Sequence, residues 1–274
     1  MFNVPTIFLS VQKERKLVAK IVQEENILGI ISDNRFGVYC SHIPSVYITH
    51  QLNVLSGITT FFTSKTHQKI ASKYNEVWVP DFNGENNFSG KLSQISSLKG
   101  KTKFIGVLSR FQFEKQPQKY NFTVVLSGVE PQRSLLEQKL LNELKNTSKK
   151  VLFVRGKLSV EKIETSKNIE VVNFLTSEKL NKVLNQSEIV IARSGYSTIM
   201  DLALLKKKAV FIPTPGQNEQ EYLAKRMAKK QIAPFFKQEK FTLKQLDKVA
   251  NYKGFNKDIE TKVDLEIFRL FDSK

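Results

Sequence analysis

Between residues 122 and 230 the chain alternates short, β-branched apolar runs with longer amphipathic stretches, and this alternation restricts the fold more than any other feature. Strands are expected at Phe122–Leu126, Val151–Val154, Ile169–Val172, Ile189–Ala192 and Ala209–Pro213. Helices are expected at Pro131–Lys145, Ser177–Gln186, Ser197–Leu205 and Glu219–Lys230. Unbroken apolar runs suit strands buried on both faces, and a helix between successive strands lets them lie parallel. The pattern predicts an α/β fold with a doubly wound parallel sheet, in which ligands bind beyond the carboxyl ends of the strands. Three of those ends carry small or glycine residues before a helix: Ser127-Gly128, Ser194-Gly195 and Thr214-Pro215-Gly216. Backbone N–H groups at such turns and helix starts are suited to phosphate, although tight turns also need glycine for their own geometry.

The first half is less regular. A helical spacing runs over Gln12–Asn26, followed by strand runs at Ile27–Ser32 and Pro44–Thr49, a helix at Ile58–Tyr74 and a strand at Glu76–Pro80. Residues 83–102, rich in Gly, Asn, Ser and Lys, read as a linker. The chain shows no repeat of solenoid period and no low-complexity tract.

Composition narrows the function classes. Apolar residues make up 41% of the chain, enough for a true core and against wholesale disorder. One cysteine, Cys40, excludes an intrachain disulfide framework and a multi-cysteine zinc site, which fits a reducing, cytoplasmic setting. No apolar run reaches a membrane span, and Met1–Ser10 lacks the basic leader and cleavage site of a secretion signal. The net charge of +17 points to a polyanionic partner or to a Lys-rich solvated surface. It is uneven: the first hundred residues hold 10 basic and 7 acidic side chains, the remainder 33 and 19. With no helix-turn-helix, zinc-finger or RNP signature, nucleic acid is not an expected partner; phosphorylated small molecules and an anionic membrane face remain.

The run Ile189-Val190-Ile191-Ala192-Arg193-Ser194-Gly195-Tyr196-Ser197-Thr198-Ile199-Met200-Asp201-Leu202 resembles the donor-site motif of family-28 glycosyltransferases. Phe211-Ile212-Pro213 with Gln217-Asn218-Glu219-Gln220-Glu221-Tyr222 is similar to the glutamine-containing segment that meets the donor sugar in that family. Val125-Leu126-Ser127-Gly128 stands in the place of its first glycine-serine phosphate loop, and Phe174-Leu175 where its backbone reads the uracil ring. The resemblance covers roughly residues 104–230 as a set, and it is fainter in the first half, where only His50, Asn53 and Gly57 match the acceptor-domain stretch. It implies a GT-B arrangement of two Rossmann-like domains with parallel sheets. These are an acceptor-side domain over 1–95, a nucleotide-sugar-binding domain over 96–256 and a carboxy-terminal helix over 257–274.

The same resemblance implies roles for single residues. Ser127, Gly128, Ser194, Gly195 and Thr198 would donate to the diphosphate, with Ser197 or Thr198 also read as a helix cap. Arg193 would pair with the diphosphate, or with a surface carboxylate. Asp201 would accept from the ribose hydroxyls, one methylene shorter than the family's usual Glu, or complement the helix dipole. Gln217, Glu219 and Gln220 would read sugar hydroxyls or serve as a polar helix start. Arg110 would face the diphosphate. His50 would act as a general base towards an acceptor hydroxyl, or is structural, with Asn53 beside it on the acceptor side. The apolar segment Leu52–Phe62 reads as core, or as a patch touching the membrane that carries a lipid-linked acceptor.

The expected reaction is transfer of an N-acetylhexosamine or hexose from a UDP-sugar, with neither cofactor nor metal and with no Asp-x-Asp in the chain. The alternatives are a nucleotide-sugar epimerase or hydrolase and a non-catalytic or split-subunit binding module. The part before residue 83 is shorter than the roughly 150 residues of a Rossmann-like half and lacks an opening strand and glycine loop. That leads us to expect a chain shortened at its amino terminus, able to bind donor, slow in transfer, and open to a partner subunit.

Overall fold

The computed structural model describes residues 4–94, 97–158, 166–255, 259 and 264–272. The chain divides into two compact units, Met1–Gly106 with Thr261–Lys274, and Val107–Glu260. The division falls after Gly106 rather than after residue 95, because the segment read as a linker belongs to the first unit.

The first unit opens with helix α1 (Val4–Glu24), longer than the spacing over 12–26 predicts. Strand β1 (Ile30–Asp33), strand β2 (Ser45–Ile48), helix α2 (Thr60–Ala71), strand β3 (Glu76–Val79) and strand β4 (Thr102–Phe104) follow. The four strands form one sheet in the order β1-β2-β3-β4, and every pair is parallel. Glu14 ties α1 to this sheet's loops: its carboxylate accepts from Arg35 Nε at 2.7 Å and from the Gly37 amide at 2.8 Å.

The supposed linker is built around a buried carboxylate. Asp81, fully buried, accepts from the amides of Phe82, Phe88 and Ser89 and from the Ser89 hydroxyl at 2.5 Å. A 3-10 turn over Gly90–Leu92 follows, and β4 pairs with β3 at the sheet's edge. Residues 95 and 96 of that segment lie outside the described residues. In the expected carboxy-terminal helix, Leu265–Phe271 is a 3-10 helix whose Phe268 and Phe271 rings stand edge-on to Trp78, at 5.4 and 6.3 Å. Residues 257, 258, 260–263, 273 and 274 lie outside the described residues.

The second unit follows the predicted alternation closely. Strand β5 (Tyr120–Val125), helix α3 (Gln132–Leu144), strand β6 (Val151–Val154), strand β7 (Ile169–Val172), helix α4 (Ser177–Asn185), strand β8 (Ser187–Ala192), helix α5 (Tyr196–Leu204), strand β9 (Lys208–Phe211) and helix α6 (Asn218–Lys229) succeed one another. The sheet order is β7-β6-β5-β8-β9, all parallel. All four residues of β6 are buried, as a strand covered by helices on both faces requires. Phe122, Leu136, Leu140, Phe153, Ile191 and Phe241 belong to the core of this unit.

In the first unit's core His67 donates from Nε2 to Tyr47 at 2.8 Å, because the Tyr47 hydroxyl gives its own proton to Asn34 Oδ1 at 2.9 Å. Burial pushes the imidazole down from 6.5 to about 4. The folded state then binds fewer protons than the unfolded one between these values, so stability is complete above pH 6.5 and falls as pH drops towards 4. We expect a loss of about 3 kcal/mol across that window. Urea unfolding followed at Trp78 measures it, and a pH profile that is as steep in His67→Gln as in the native chain would show that other groups carry it.

Candidate functional site

The second sheet reverses its strand order between β5 and β8, so the loops after these two strands flank a crevice at their carboxyl ends. After β5, Ser127 and Gly128 are exposed; Gly128 has φ +104°, with nothing within 4 Å of the place a Cβ would take. After β9, Gly216 has φ +80° and equally open surroundings. Both glycines are therefore required by backbone conformation, and both leave room for a ligand to reach the main chain. After β8, Gly195 stands at the start of α5 with extended φ/ψ, and the half-buried Thr198 brings its hydroxyl to within 3.9 Å of the Gly195 Cβ position. The Ser194 side chain is turned elsewhere: fully buried, its hydroxyl donates to the Gln220 carbonyl at 2.7 Å, so only its backbone is left for a phosphate.

Arg193 differs most from expectation. Its side chain is 1% exposed and donates to four acceptors of its own unit. Nη1 meets the carbonyls of Ile212 and Pro213, both at 3.0 Å. Nη2 meets the Gln132 carbonyl at 2.8 Å and Gln238 Oε1 at 2.7 Å. Gln238 in turn donates to Gln132 Oε1 at 3.3 Å. Burial pushes the guanidinium down to about 10, still charged at neutral pH. Four of its five N–H groups are spent on fixing the crevice loops to one another, Nε meets no acceptor among the described residues, and no surface carboxylate is its partner.

Asp201, half-buried on α5, accepts from the Ser109 hydroxyl at 2.6 Å through Oδ1, and that hydroxyl accepts from the Phe111 amide at 3.0 Å. Burial raises its carboxyl above the ordinary value, opposed by the Ser109 bond and the nearby Arg110 charge. Among the described residues Oδ2 accepts no hydrogen bond. Arg110 is exposed, its guanidinium 5.0 Å from the Phe111 ring centre. At the start of α6, Gln220 Oε1 accepts from the Thr214 amide at 2.9 Å and its Nε2 donates to Gln217 Oε1 at 2.5 Å. That pair shapes the loop after β9, with Gln217 exposed and Glu219 half-buried in the same turn. After β7, Phe174 is 55% exposed and Leu175 half-buried. Their loop is tied to the one after β6 by Lys157 N donating to Asn173 O and Arg155 Nη1 to Asn173 Oδ1, both at 2.9 Å.

In the first unit, Asn53 is structural: Nδ2 donates to the carbonyls of Lys91 and Gln94 at 2.6 and 2.7 Å, and Oδ1 accepts from Gln68 at 3.2 Å. His50 is half-buried after β2 and has interactions within the chain. The segment expected as core splits: Leu52 is fully buried, but Phe61 and Phe62 are 65% and 73% exposed. Ser109 and Gln238, which position Asp201 and Arg193, gave no sequence signal, since a lone serine and a lone glutamine far along the chain match no pattern. Among the described residues no group of His, Cys, Asp or Glu is arranged to hold a metal ion, and no helix is long and apolar enough to cross a membrane.

The family model for the glycosyltransferase family 28 C-terminal domain matches residues 123–260. A UDP-N-acetylglucosamine–N-acetylmuramyl-(pentapeptide) pyrophosphoryl-undecaprenol N-acetylglucosamine transferase of Bacillus licheniformis is 26% identical over 261 residues, which cover 86% of this chain and 67% of the relative. The crystal structure of Acinetobacter baumannii MurG aligns over 89% of this chain and 72% of its own length, with a TM-score of 0.57 and 15% identity. The glycosyltransferase of kitacinnamycin aligns over 91% and 74%, with a TM-score of 0.64 and 13% identity. A sugar-transferring enzyme of GT-B fold is the class these features define. The chain belongs to glycosyltransferase family 28.

Replacing the clamp tests its role. Arg193→Met removes a buried cation and strands four acceptors, and we expect a loss of about 3–5 kcal/mol in urea unfolding of the second unit. A loss under about 1 kcal/mol, the size of a surface contact, would show that the guanidinium serves a ligand instead.

Proposed function

We propose that the chain transfers a sugar, an N-acetylhexosamine or hexose, from a UDP-linked donor to the hydroxyl of a lipid-linked acceptor. The observation that carries the reading is Asp201, whose carboxylate is held by Ser109 through one oxygen while the other stays available beside the switch-point crevice. A carboxylate so fixed suits the vicinal hydroxyls of a ribose. In this reading Phe174 and Leu175 flank the uracil, and Ser127, Gly128, Gly195 and Thr198 donate to the diphosphate together with the Ser194 amide. Gln217, Glu219 and Gln220 meet the sugar, and Arg110 adds charge near the phosphates.

The acceptor oxygen attacks the anomeric carbon as the bond from that carbon to the β-phosphate oxygen breaks. UDP leaves with the bonding pair, and the acceptor proton passes to a base, for which His50 is the candidate. Donors fixed in advance around the leaving diphosphate lower the barrier because charge develops there in the transition state.

A peripheral membrane position fits the same reading. Phe61 and Phe62 project from the start of α2 with rings 5.6 Å apart, and Lys65, Lys69 and Lys73 are exposed in the same region. Apolar insertion and attraction to anionic lipid reinforce each other there.

Two measurements test these statements. Calorimetry with Asp201→Ala is expected to show UDP bound about 1.5–3 kcal/mol more weakly, with ADP and GDP poorer ligands than UDP for the native chain. Unchanged UDP affinity in a folded variant would reduce Asp201 to a dipole-complementing residue. Co-sedimentation with anionic vesicles is expected to fall by about tenfold or more in the Phe61→Ala, Phe62→Ala double variant, given the area two aromatic rings bury. Equal sedimentation of both proteins would leave charge alone as the attachment.

A further inference from the structure

The loop after β5 carries an ion chain that the reading above leaves unused. Arg133, on the first turn of α3, is 4% exposed, yet its two edges face different carboxylates. Nη1 donates to Glu137 Oε2 at 2.5 Å and to the Arg155 carbonyl at 3.2 Å. Glu137, itself buried, spends its other oxygen on Arg155 Nε at 2.7 Å. That half is closed. The opposite edge, Nε and Nη2, lies on Glu130 Oε1 at 2.7 and 2.6 Å, and Glu130 Oε2 accepts from the Ser134 amide at 3.1 Å. Nη2 also reaches the Ser134 hydroxyl at 2.7 Å. Glu130 is 53% exposed.

We propose that Glu130 is a resident anion which the donor's diphosphate displaces, so that Arg133 becomes a diphosphate-binding residue. The inference rests on the reading that this crevice takes a nucleoside diphosphate. Three observations lead to it. Glu130 follows Gly128 by two residues, beside open space at the expected phosphate loop. A phosphate at Ser127 and Gly128 would lie two to three residues along the chain from this carboxylate, and two anions brought close repel unless one moves. The edge that Glu130 holds, two parallel guanidinium N–H groups with a backbone amide alongside, fits a phosphate's oxygens as well as a carboxylate's. The exposed Glu130 can swing into water, whereas the buried Glu137 stays to neutralise Arg155 and keep Arg133 in place. Hydrogen bonds from Arg133 and Ser134 also hold the Glu130 carboxyl below its ordinary value, so the resident anion is charged at neutral pH.

A carboxylate that only caps α3 and one that competes with the ligand predict opposite results. The experiment is calorimetry of the full chain, native and Glu130→Gln, with UDP, inorganic pyrophosphate and uridine, and a melting curve for each protein. Exchange predicts UDP and pyrophosphate bound about fivefold more tightly by Glu130→Gln, the size of an exposed ion pair no longer competing. Uridine affinity stays unchanged and the melting temperature is equal or lower. In Glu130→Gln, Arg133→Lys the gain disappears, because an ammonium lacks the two-pronged edge. Equal or weaker binding of both phosphate ligands by Glu130→Gln, or no binding by either protein, overturns the proposal. A native chain that binds UDP no better than pyrophosphate would instead remove the nucleotide reading, and the pyrophosphate comparison would still decide the exchange.

Discussion

The second unit depends on one desolvated cation. Arg193 leaves β8 and points into the interior, where a guanidinium is tolerated only if its N–H groups are met. Four of the five are: two by the carbonyls after β9, one by the first residue of α3, and one by Gln238. The acceptors come from three segments that share no strand pairing at those points. Their separation is therefore set by the reach of a single planar group. A lysine would offer a point charge without that span. The crevice at the switch point keeps its width for this reason, and the loops bearing Gly128 and Gly216 inherit their positions from it.

A second buried ion chain supports the other side of the same sheet. Arg133, Glu137 and Arg155 link the first turns of α3 to the end of β6, and Arg155 passes the constraint on to the loop after β7 through Asn173. One carboxylate between two guanidinium groups leaves the buried chain with an excess positive charge. The exposed Glu130 balances it at the surface. Such a chain is a weak source of net stability, since desolvation offsets most of the attraction. Its effect here is geometric: three loops at the carboxyl ends of β5, β6 and β7 are held in one register, with Glu137 and Arg155 enclosed behind Arg133.

The second unit was legible in the sequence because parallel strands buried on both faces need continuous apolar runs, and Val151–Val154 and Ile189–Ala192 have them. The ends of those runs located the crevice loops as well. The partners of Arg193 were not legible, because three of them are backbone carbonyls, which carry no residue identity, and the fourth lies 45 residues further on. The partner of the Ser194 hydroxyl was not legible for a related reason: a hydroxyl next to a glycine turn suits a phosphate and a helix carbonyl equally well. In the first unit the Gly-, Asn- and Ser-rich run after Asp81 has the composition of a linker. The same composition suits a loop whose amides converge on a buried carboxylate, and only the fold distinguishes them. Phe61 and Phe62 read as core because apolar residues are more often inside, but the turn into α2 faces them outward while Ser64 and His67 take the buried side.

Asp201 shows how the two kinds of information meet. Its type and place followed from the motif, but its orientation comes from the extended segment that opens the second unit. Ser109 in that segment fixes Oδ1, and the segment itself is pinned further along by α4. Asn181 Oδ1 accepts from the Gln112 amide at 3.1 Å, Asn185 Oδ1 accepts from the Glu114 amide at 3.0 Å, and Asn185 Nδ2 returns a bond to the Gln112 carbonyl at 2.9 Å. Two asparagines on one helix thus pair an unpaired strand-like segment as a neighbouring strand would, satisfying amides that have no sheet partner. A carboxylate one methylene shorter than glutamate has less freedom to search for a ribose, so its position must be set by its surroundings. The serine that holds it lies next to Arg110, so one short segment fixes the aim of the carboxylate and carries a cation whose charge acts on it.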